Sequence, residues 1–406
     1  LEAFVANGPL AGLRVIDFSW VGAGSFTTRL LAEHGADVVK VESSTHLDSL
    51  RIGPPFAGGV PGVNRSGYFA ERNANKRSVT IDLKNPRGVE IVKLLLADAD
   101  IVANNFRPGV MDSLGLGYDS VRTLNPGVIY LSMSMQGASG PESGYAGYGI
   151  TIAAMSGMTH LSAQPGCYPV GTGTHYPDHV PNPSHAAFAL LAAVRHQRRT
   201  GLGQYIEMAQ TEPTISCIGP AVMEWTATGT EPVPLGNRHP NWCPHGVFPT
   251  LGDDRWIAFA ARTEHEWEQL ADELGLDALR GLSLPERHAR VDEVEQAVRQ
   301  ATSALDGHAL MLSLQAARVP AGIVTTAKDI VDDDPQLAAR DHWRYLDHAE
   351  MGRSVYGRAP FRLSATPGDL DTPAPLLGEH TAAVLHELLG LDAETIAELV
   401  NDDVLR

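Results

Sequence analysis

The stretch RVIDFSWVGAGSFTTRLLAEHGADVVKVE, residues 14–42, decides the fold. Its opening, RVIDFSWV (14–21), is rich in β-branched and apolar residues and predicts a buried strand. GAGS (22–25) reads as a tight small-residue turn, FTTRLLAEH (26–34) has helical spacing, and ADVVKVE (36–42) returns to strand composition. Strand, helix and strand make a βαβ unit. The alternation continues with SVTIDL (78–83) as a strand, NPRGVEIVKLLLADA (85–99) as a helix with Pro86 near its start, and DIVANNF (100–106) as a strand. VIYLSMSM (128–135) and QYIEMAQ (204–210) add two more strands. Such an order predicts an α/β domain with a largely parallel sheet.

Beyond this domain the pattern changes. The region 226–250, rich in Gly and Pro, shows no periodicity and reads as a linker. From WIAFAA (256–261) to about 330, a short strand and the amphipathic segments EHEWEQLADELG and VDEVEQAVRQAT predict a smaller second domain. SVYGRAPFRLSA (354–365) is β-like again, and HTAAVLHELLG and ETIAELVNDDVL close the chain with helical i, i+3, i+4 spacing. The division expected is therefore 1–225 as a large domain, 226–335 as linker and small domain, and 336–406 as a segment returning to the large one. At 406 residues the chain exceeds what one hydrophobic core usually fills.

The net charge of −17 carries no long Lys/Arg block, which speaks against nucleic-acid and anionic-membrane partners. Three scattered cysteines, Cys167, Cys217 and Cys243, do not make a disulfide scaffold and fit a reducing compartment, the cytoplasm. No eighteen-residue apolar run suggests a membrane span, and LEAFVANGPLAGLRV has no signal-peptide pattern.

HYPDHVPNPSHAAF (175–188) sets Asp178 among Pro177, Pro181 and Pro183, which stiffen the loop ahead of an alanine-rich helix. Asn182 is placed to cap that helix with Pro183 at its first position, and Gly201 to end it. Asp178 by itself is either turn chemistry or a carboxylate aimed into a pocket. VGAGSFT, with Glu42 closing the second strand, resembles a dinucleotide fingerprint, but Thr27 replaces the third small residue and a structural turn is the stronger reading. His239, Cys243 and His245 offer zinc-type ligands, yet they are crowded into seven residues with two prolines, and a pocket-lining loop is the better reading. Neither G-x-S-x-G nor a P-loop sequence is present. A carboxylate nucleophile needs no base to deprotonate it at neutral pH, so it would leave no triad in the sequence. Lys76, Arg77, Lys84, Arg87 and Arg107 are either a solvated rim or a means of meeting phosphates.

Together PLAGLRVIDFSWVGAG, LLAEHGADVVKVE, NANKRSVTIDLKNPRG, NNFRPGVMDSLGLGYDSVRTLNPGVIYLSMS, RRTGLGQYIEMA, APFRLSATP and PLLGEHT resemble the class III coenzyme A transferases. That family includes formyl-CoA transferase, carnitine CoA-transferase and α-methylacyl-CoA racemase. The resemblance implies a Rossmann-like large domain built from both chain ends, a smaller α+β domain, and a homodimer of interlocked rings. It implies Asp178 as the catalytic nucleophile, although YPDHVPNPSH is one residue longer than the commoner form. CoA would be a substrate moiety, with no tightly bound cofactor and no metal, and the partners would be acyl-CoA and carboxylic acids. The implied CoA contacts are Gly22 and Ala23 at the first turn, Ile81, Asp82, Leu83 and Lys84 on the third strand, Asn105, Phe106 and Arg107 after the fourth, and Tyr148. Formyl-CoA transferase has Gln at Gly22 and Arg at Ser43 and Ser113, so the phosphate contacts must shift, with Arg72, Lys76 and Arg77 as candidates. The racemase branch depends on G-H-D-I-N, which here reads GYGIT, with Tyr148 and Gly149 in place of His and Asp; loss of that His disfavours racemization. A silent CoA-binding subunit of a hetero-oligomer is the other alternative. Tyr145, Tyr148, Tyr168, Trp225 and Trp242 are candidates for an acyl pocket, and the 236–246 loop and Gly-bearing turns for oxyanion donors.

Overall fold

The computed structural model describes residues 8–406; the N-terminal reading above, for residues 1–7, lies outside the described residues. The chain divides into two compact units. The first comprises the chain up to Thr159, Gly171–Gly229 and Ala338–Arg406, and the second comprises His160–Val170 and Thr230–Leu337.

The first unit is built on six strands: β1 (Arg14–Asp17), β2 (Asp37–Glu42), β3 (Arg77–Thr80), β4 (Ile101–Asn104), β5 (Ile129–Ser132) and β6 (Gln204–Glu207). Their order is β3-β2-β1-β4-β5-β6, and every pairing is parallel. This is the doubly wound order, in which the chain reverses its winding direction between β1 and β4. Because successive strand residues face opposite sides, Val15, Val38, Ile101 and Ile129 enter one core and Ile16, Val39, Val102 and Tyr130 the other. Helix α1 (Ala23–Ala32) and the long helix Pro181–Thr200 cover the first face through Ala23, Leu31, Ala186 and Leu190. Helix α3 (Pro86–Ala97) and the terminal helices Thr381–Leu389 and Ala393–Asn401 cover the second through Val92, Leu95, Val384 and Leu399. A short helix, α2 (Gly67–Asn73), precedes β3.

The second unit has β7 (His245–Pro249), β8 (Trp256–Ala260) and β9 (Ala321–Ile323) in one antiparallel sheet. Helices Glu264–Glu273, Val291–Thr302 and Gly307–Ala316 pack Trp267, Leu270, Val294, Val298 and Leu314 against Phe248 and Ile257. In the first unit, β10 (Trp343–His348) and β11 (Gly352–Gly357) form an antiparallel hairpin; only the start of 354–365 is therefore strand. Among the described residues no helix is long and apolar enough to cross a membrane.

Several local expectations are corrected. GAGS is not the turn: α1 already begins at Ala23, and the reversal falls on Val21, whose φ is 59°. Gly24 is small for space, since a Cβ there would stand 2.5 Å from Ser19 Cβ. The third strand ends at Thr80, so Ile81–Lys84 lie in the turn after it, where Asp82 Oδ1 accepts the Lys84 N–H at 2.9 Å. Asn182 does not cap the long helix. That helix starts at Pro181, because both Pro181 and Pro183 fit a first turn whose N–H groups would be unpaired anyway, and Asn182 is buried. The 226–250 region is not all linker, since helix Gly219–Thr228 runs into it and β7 occupies its end.

Candidate active site

Asp178 sits in a one-turn helix, Tyr176–His179, and not in an irregular loop. Its N–H donates to the His175 carbonyl at 2.9 Å, and the Val180 N–H donates to the Tyr176 carbonyl at 3.1 Å. The residue is 5% exposed, and Oδ2 accepts one hydrogen bond, at 3.1 Å, from the N–H of Gly149. Gly149 is the first residue of helix Gly149–Met155, so that N–H has no partner within the helix. A Cβ at Gly149 would lie 2.7 Å from Asp178 Oδ2, and one at Gly22 would lie 2.7 Å from Asp178 Cβ. Neither glycine has a positive φ, so both are glycine for the room they leave the carboxylate. Burial pushes the Asp178 carboxyl above its ordinary pKa, with the Gly149 N–H, His175 and Arg72 offsetting part of that rise.

Side chains of α1, of α2 and of the Asp178 turn itself close the surroundings. Arg72 of α2 is buried over the Phe26 ring, with its guanidinium carbon 4.3 Å from the centroid, and 5.7 Å from that of Tyr68. Its Nη1 pairs with Glu71 at 2.8 Å, and its Nη2 donates to His179 Nδ1. Burial and the neighbouring Arg72 charge push the His179 imidazole down to about 4. His175 Nδ1 is buried without a hydrogen-bond partner among the described residues.

The backbone from Ser19 to Val21, which delivers Gly22 to the carboxylate, is held by side chains at five of its N–H and carbonyl groups. Asp17 Oδ1 accepts the Ser19 N–H at 2.9 Å, Lys40 Nζ donates to the Ser19 carbonyl, and the Asn105 carboxamide binds both the N–H and the carbonyl of Trp20 at 2.9 and 2.6 Å. Asp48 Oδ1 accepts the Val21 N–H at 3.1 Å. A β-branched residue at φ 59° is strained by about 1–3 kcal/mol, and these contacts are what over-determine it. Beneath the loop Lys76 Nζ donates to Asp17 Oδ2 at 3.0 Å and to Ser25, Thr28 and Asn73. Burial opposes the charge on Asp17, but Lys76 and Lys40 outweigh it and hold that carboxyl below its ordinary value.

Of the sequence candidates, Gly22 touches Asp178 while Ala23 is buried in α1 beside it. Tyr148 is exposed and immediately precedes the Gly149 helix. Ile81 and Asp82 are buried, and Asp82 Oδ2 pairs with Arg406 at 3.2 Å; Leu83 packs at the edge of the core. Lys84 is near the surface, its Nζ 2.9 Å from His46 Nε2. The Asn105 amide is occupied by Trp20, and Phe106 meets the Trp20 ring edge-on at 5.6 Å. Arg107 is exposed and lines a cavity of about 400 Å³ with Asn104, Met111, Tyr118 and Tyr205. Lys76 is fully buried and Arg77 is paired with Asp37 and Glu387, which takes both away from the surface role considered for them. Ser43 is half-buried and Ser113 is exposed. Tyr145, Tyr148 and Trp225 belong to the first unit and Tyr168 and Trp242 to the second. His239 stacks on Trp242 at 3.9 Å and His245 Nδ1 contacts the Asn237 carbonyl; among the described residues no group of three ligating side chains is poised for a metal.

Sequence reasoning missed Tyr68, His175, His179, Lys40 and Asp48. The visible signal was a charge inside an apolar strand, Asp17 in RVIDF and Lys40 in DVVKVE: a buried charge needs a buried partner.

Residues 10–381 match the sequence model of CoA-transferase family III. The chain is 35% identical to the succinate–glutarate CoA-transferase of Agrobacterium fabrum, over 94% of this chain and 96% of that protein. It is 33% identical to the succinyl-CoA–L-malate CoA-transferase β subunit of Chloroflexus aurantiacus, over 98% of each. Among solved structures, a CAIB/BAIF family protein from Brucella suis superposes with a TM-score of 0.85 at 32% identity, over 94% of this chain and all of that one (100%).

Proposed function

Since the chain belongs to CoA-transferase family III, we propose that it moves coenzyme A from an acyl-CoA donor to a carboxylic acid through an aspartyl-CoA thioester on Asp178. The observation that carries the reading is the Asp178 carboxylate itself, buried against two glycines and fixed by one N–H. In the first half, a carboxylate oxygen attacks the donor thioester carbonyl and expels CoA thiolate, leaving a mixed anhydride on Asp178. The thiolate then attacks the Asp178 carbonyl and releases the donor acid. In the second half, the acceptor carboxylate attacks the aspartyl thioester, thiolate leaves again, and its attack on the acceptor's carbonyl regenerates the Asp178 carboxylate. No proton is consumed, which agrees with a site that needs no base. Because a carboxylate is a weak nucleophile, fixing it at the reaction geometry must supply several kcal/mol, on the order of the 7–11 kcal/mol available to ideal positioning. The Gly149 N–H anchors Oδ2 and leaves the other oxygen to attack.

For the nucleotide, the reading places Gly22, Ala23, the Ile81–Lys84 turn, Asn105–Arg107 and Tyr148 along CoA. The exposed cations Lys84 and Arg107 suit its phosphates in a chain of charge −17, while Asn105, whose amide is taken, acts through the Trp20 backbone. A homodimer is supported by helix Gly219–Thr228, which buries none of its residues while exposing Val222, Met223 and Trp225. The β-subunit name of the Chloroflexus relative supports a hetero-oligomer as the alternative. Three free cysteines support a cytoplasmic location.

Mass spectrometry of the pure chain mixed with succinyl-CoA tests the reading: a CoA adduct on Asp178 is expected, and Asp178→Asn should fold, bind CoA and lack both adduct and transfer. Transfer by the Asn variant at the wild-type rate rejects the mechanism.

A further inference from the structure

Arg72 is a guanidinium buried beside the proposed nucleophile, with its side chain 9% exposed. Its counter-ion is shared: Glu71 Oε2 meets Arg72 at 2.8 Å, while Glu71 Oε1 meets Arg29 at 2.7 Å. Arg72 Nε is buried with no partner among the described residues. An arginine can only donate, so His179 Nδ1, which faces Arg72 Nη2, accepts, and the imidazole proton must sit on Nε2. Arg72 thereby fixes His179 as a neutral N–H donor at the position next to Asp178. The Tyr68 hydroxyl lies within the fields of both Arg72 and Asp178, and its ring is 6.1 Å from that of His179. Around Asp178 the protein thus supplies more hydrogen-bond donors than acceptors, together with one incompletely satisfied positive charge.

We propose that Arg72, with His179 Nε2–H and the Tyr68 hydroxyl, forms a subsite for a second carboxylate, so that the acids exchanged are short dicarboxylic acids. This rests on Asp178 being the nucleophile. One carboxylate reacts at Asp178 and the other is held at Arg72. A cation clamped on the reacting carboxylate would stabilise it before attack and blunt it, whereas a cation on the far end anchors the acid without that penalty. Formation of the aspartyl thioester also removes the Asp178 charge, which leaves the Arg72 field free for an incoming anion at the moment the acceptor must bind.

The test compares succinate with butyrate, and glutarate with valerate, as acceptors from succinyl-CoA and from butyryl-CoA. The wild type should favour each dicarboxylate by about 10–100-fold in kcat/KM, the range expected of one charge-assisted hydrogen-bonded pair. Arg72→Met should cut the dicarboxylate-over-monocarboxylate ratio of kcat/KM by about the same factor, chiefly through KM for the dicarboxylates, and still form the Asp178 adduct from butyryl-CoA; Arg72→Lys should restore part of the preference. A wild type that uses butyrate as well as succinate overturns the proposal without needing a variant. Equal losses for both classes in Arg72→Met also overturn it. Absence of any adduct in the wild type instead removes the nucleophile reading on which the subsite rests.

Discussion

Replacing Gly149 with alanine isolates the geometry of the carboxylate from the stability of the fold. Gly149 has helical, negative φ at the start of its helix, so alanine is the better residue there by backbone propensity, by about 1 kcal/mol. The added Cβ, however, would stand 2.7 Å from Asp178 Oδ2, 2.9 Å from Cγ and 3.0 Å from His175 Cβ. An ordinary contact needs at least 3.4 Å, so the carboxylate or the helix start must give way by about 0.7 Å. His175 and Gly22 crowd the carboxyl group from other sides, so the movement stretches the 3.1 Å bond to the Gly149 N–H. A displacement of that size costs about 10²-fold in rate when the displaced group is the reacting one. Losing an N–H that favours the charged form also raises the Asp178 pKa further, so the rise of activity with pH should move to higher pH. Stopped reactions of the purified variant with succinyl-CoA, read by intact mass, give the rate of adduct formation, and a thermal melt gives stability. The expected outcome is an adduct rate lower by about 10²-fold with a melt within a few degrees of wild type. An adduct rate within threefold of wild type would refute the claim that Gly149 is small for the sake of Asp178.

Three further outcomes are expected. Arg51 holds Glu42 through two bonds of 2.7 Å in the core, so Arg51→Met should destabilise by about 3–5 kcal/mol at pH 7 by leaving a buried carboxylate alone. In wild type burial opposes the Glu42 charge, but Arg51 outweighs it and lowers that pKa, a stabilisation lost only as pH falls through the lowered value; in the variant the pKa is raised, so the deficit shrinks on acidification, and a deficit in denaturant midpoint that grows toward pH 4 would contradict this. Asn105→Asp places a carboxylate oxygen against the Trp20 carbonyl, and should lower kcat more than it raises KM for acyl-CoA; a pure KM effect would make Asn105 a direct CoA ligand instead. Finally, kcat/KM of the wild type should climb with pH through the raised Asp178 pKa, since only the ionised carboxylate attacks, and a rate flat from pH 4 to 7 argues against that ionisation.

Much of the sheet was legible because strand and helix periodicities differ, and residues 14–42 show both in one unit. Boundaries were less so. The small residues of GAGS suggested a turn because glycine commonly makes one, whereas here Val21 takes the left-handed conformation and the glycines make room for Ser19 and Asp178. Asp178 could be singled out from its neighbours in sequence and from a family likeness. Its environment could not, because Gly22, Arg72, Gly149 and Asp178 come from four separate segments that only the fold brings together.

What the sequence by itself determined is the alternation that makes the parallel sheet, together with one carboxylate placed before a long helix. What only the tertiary structure decided is which charges are internal. Lys76 and Arg77 are adjacent and equally basic on paper, yet one lies wholly inside, held by Asp17, and the other at the edge of the sheet, held by Asp37. Lys76 precedes β3 and Arg77 opens it, so strand alternation does not separate them; a charge taken inside must find its partner across the chain, and its role depends on distant residues that no local pattern records.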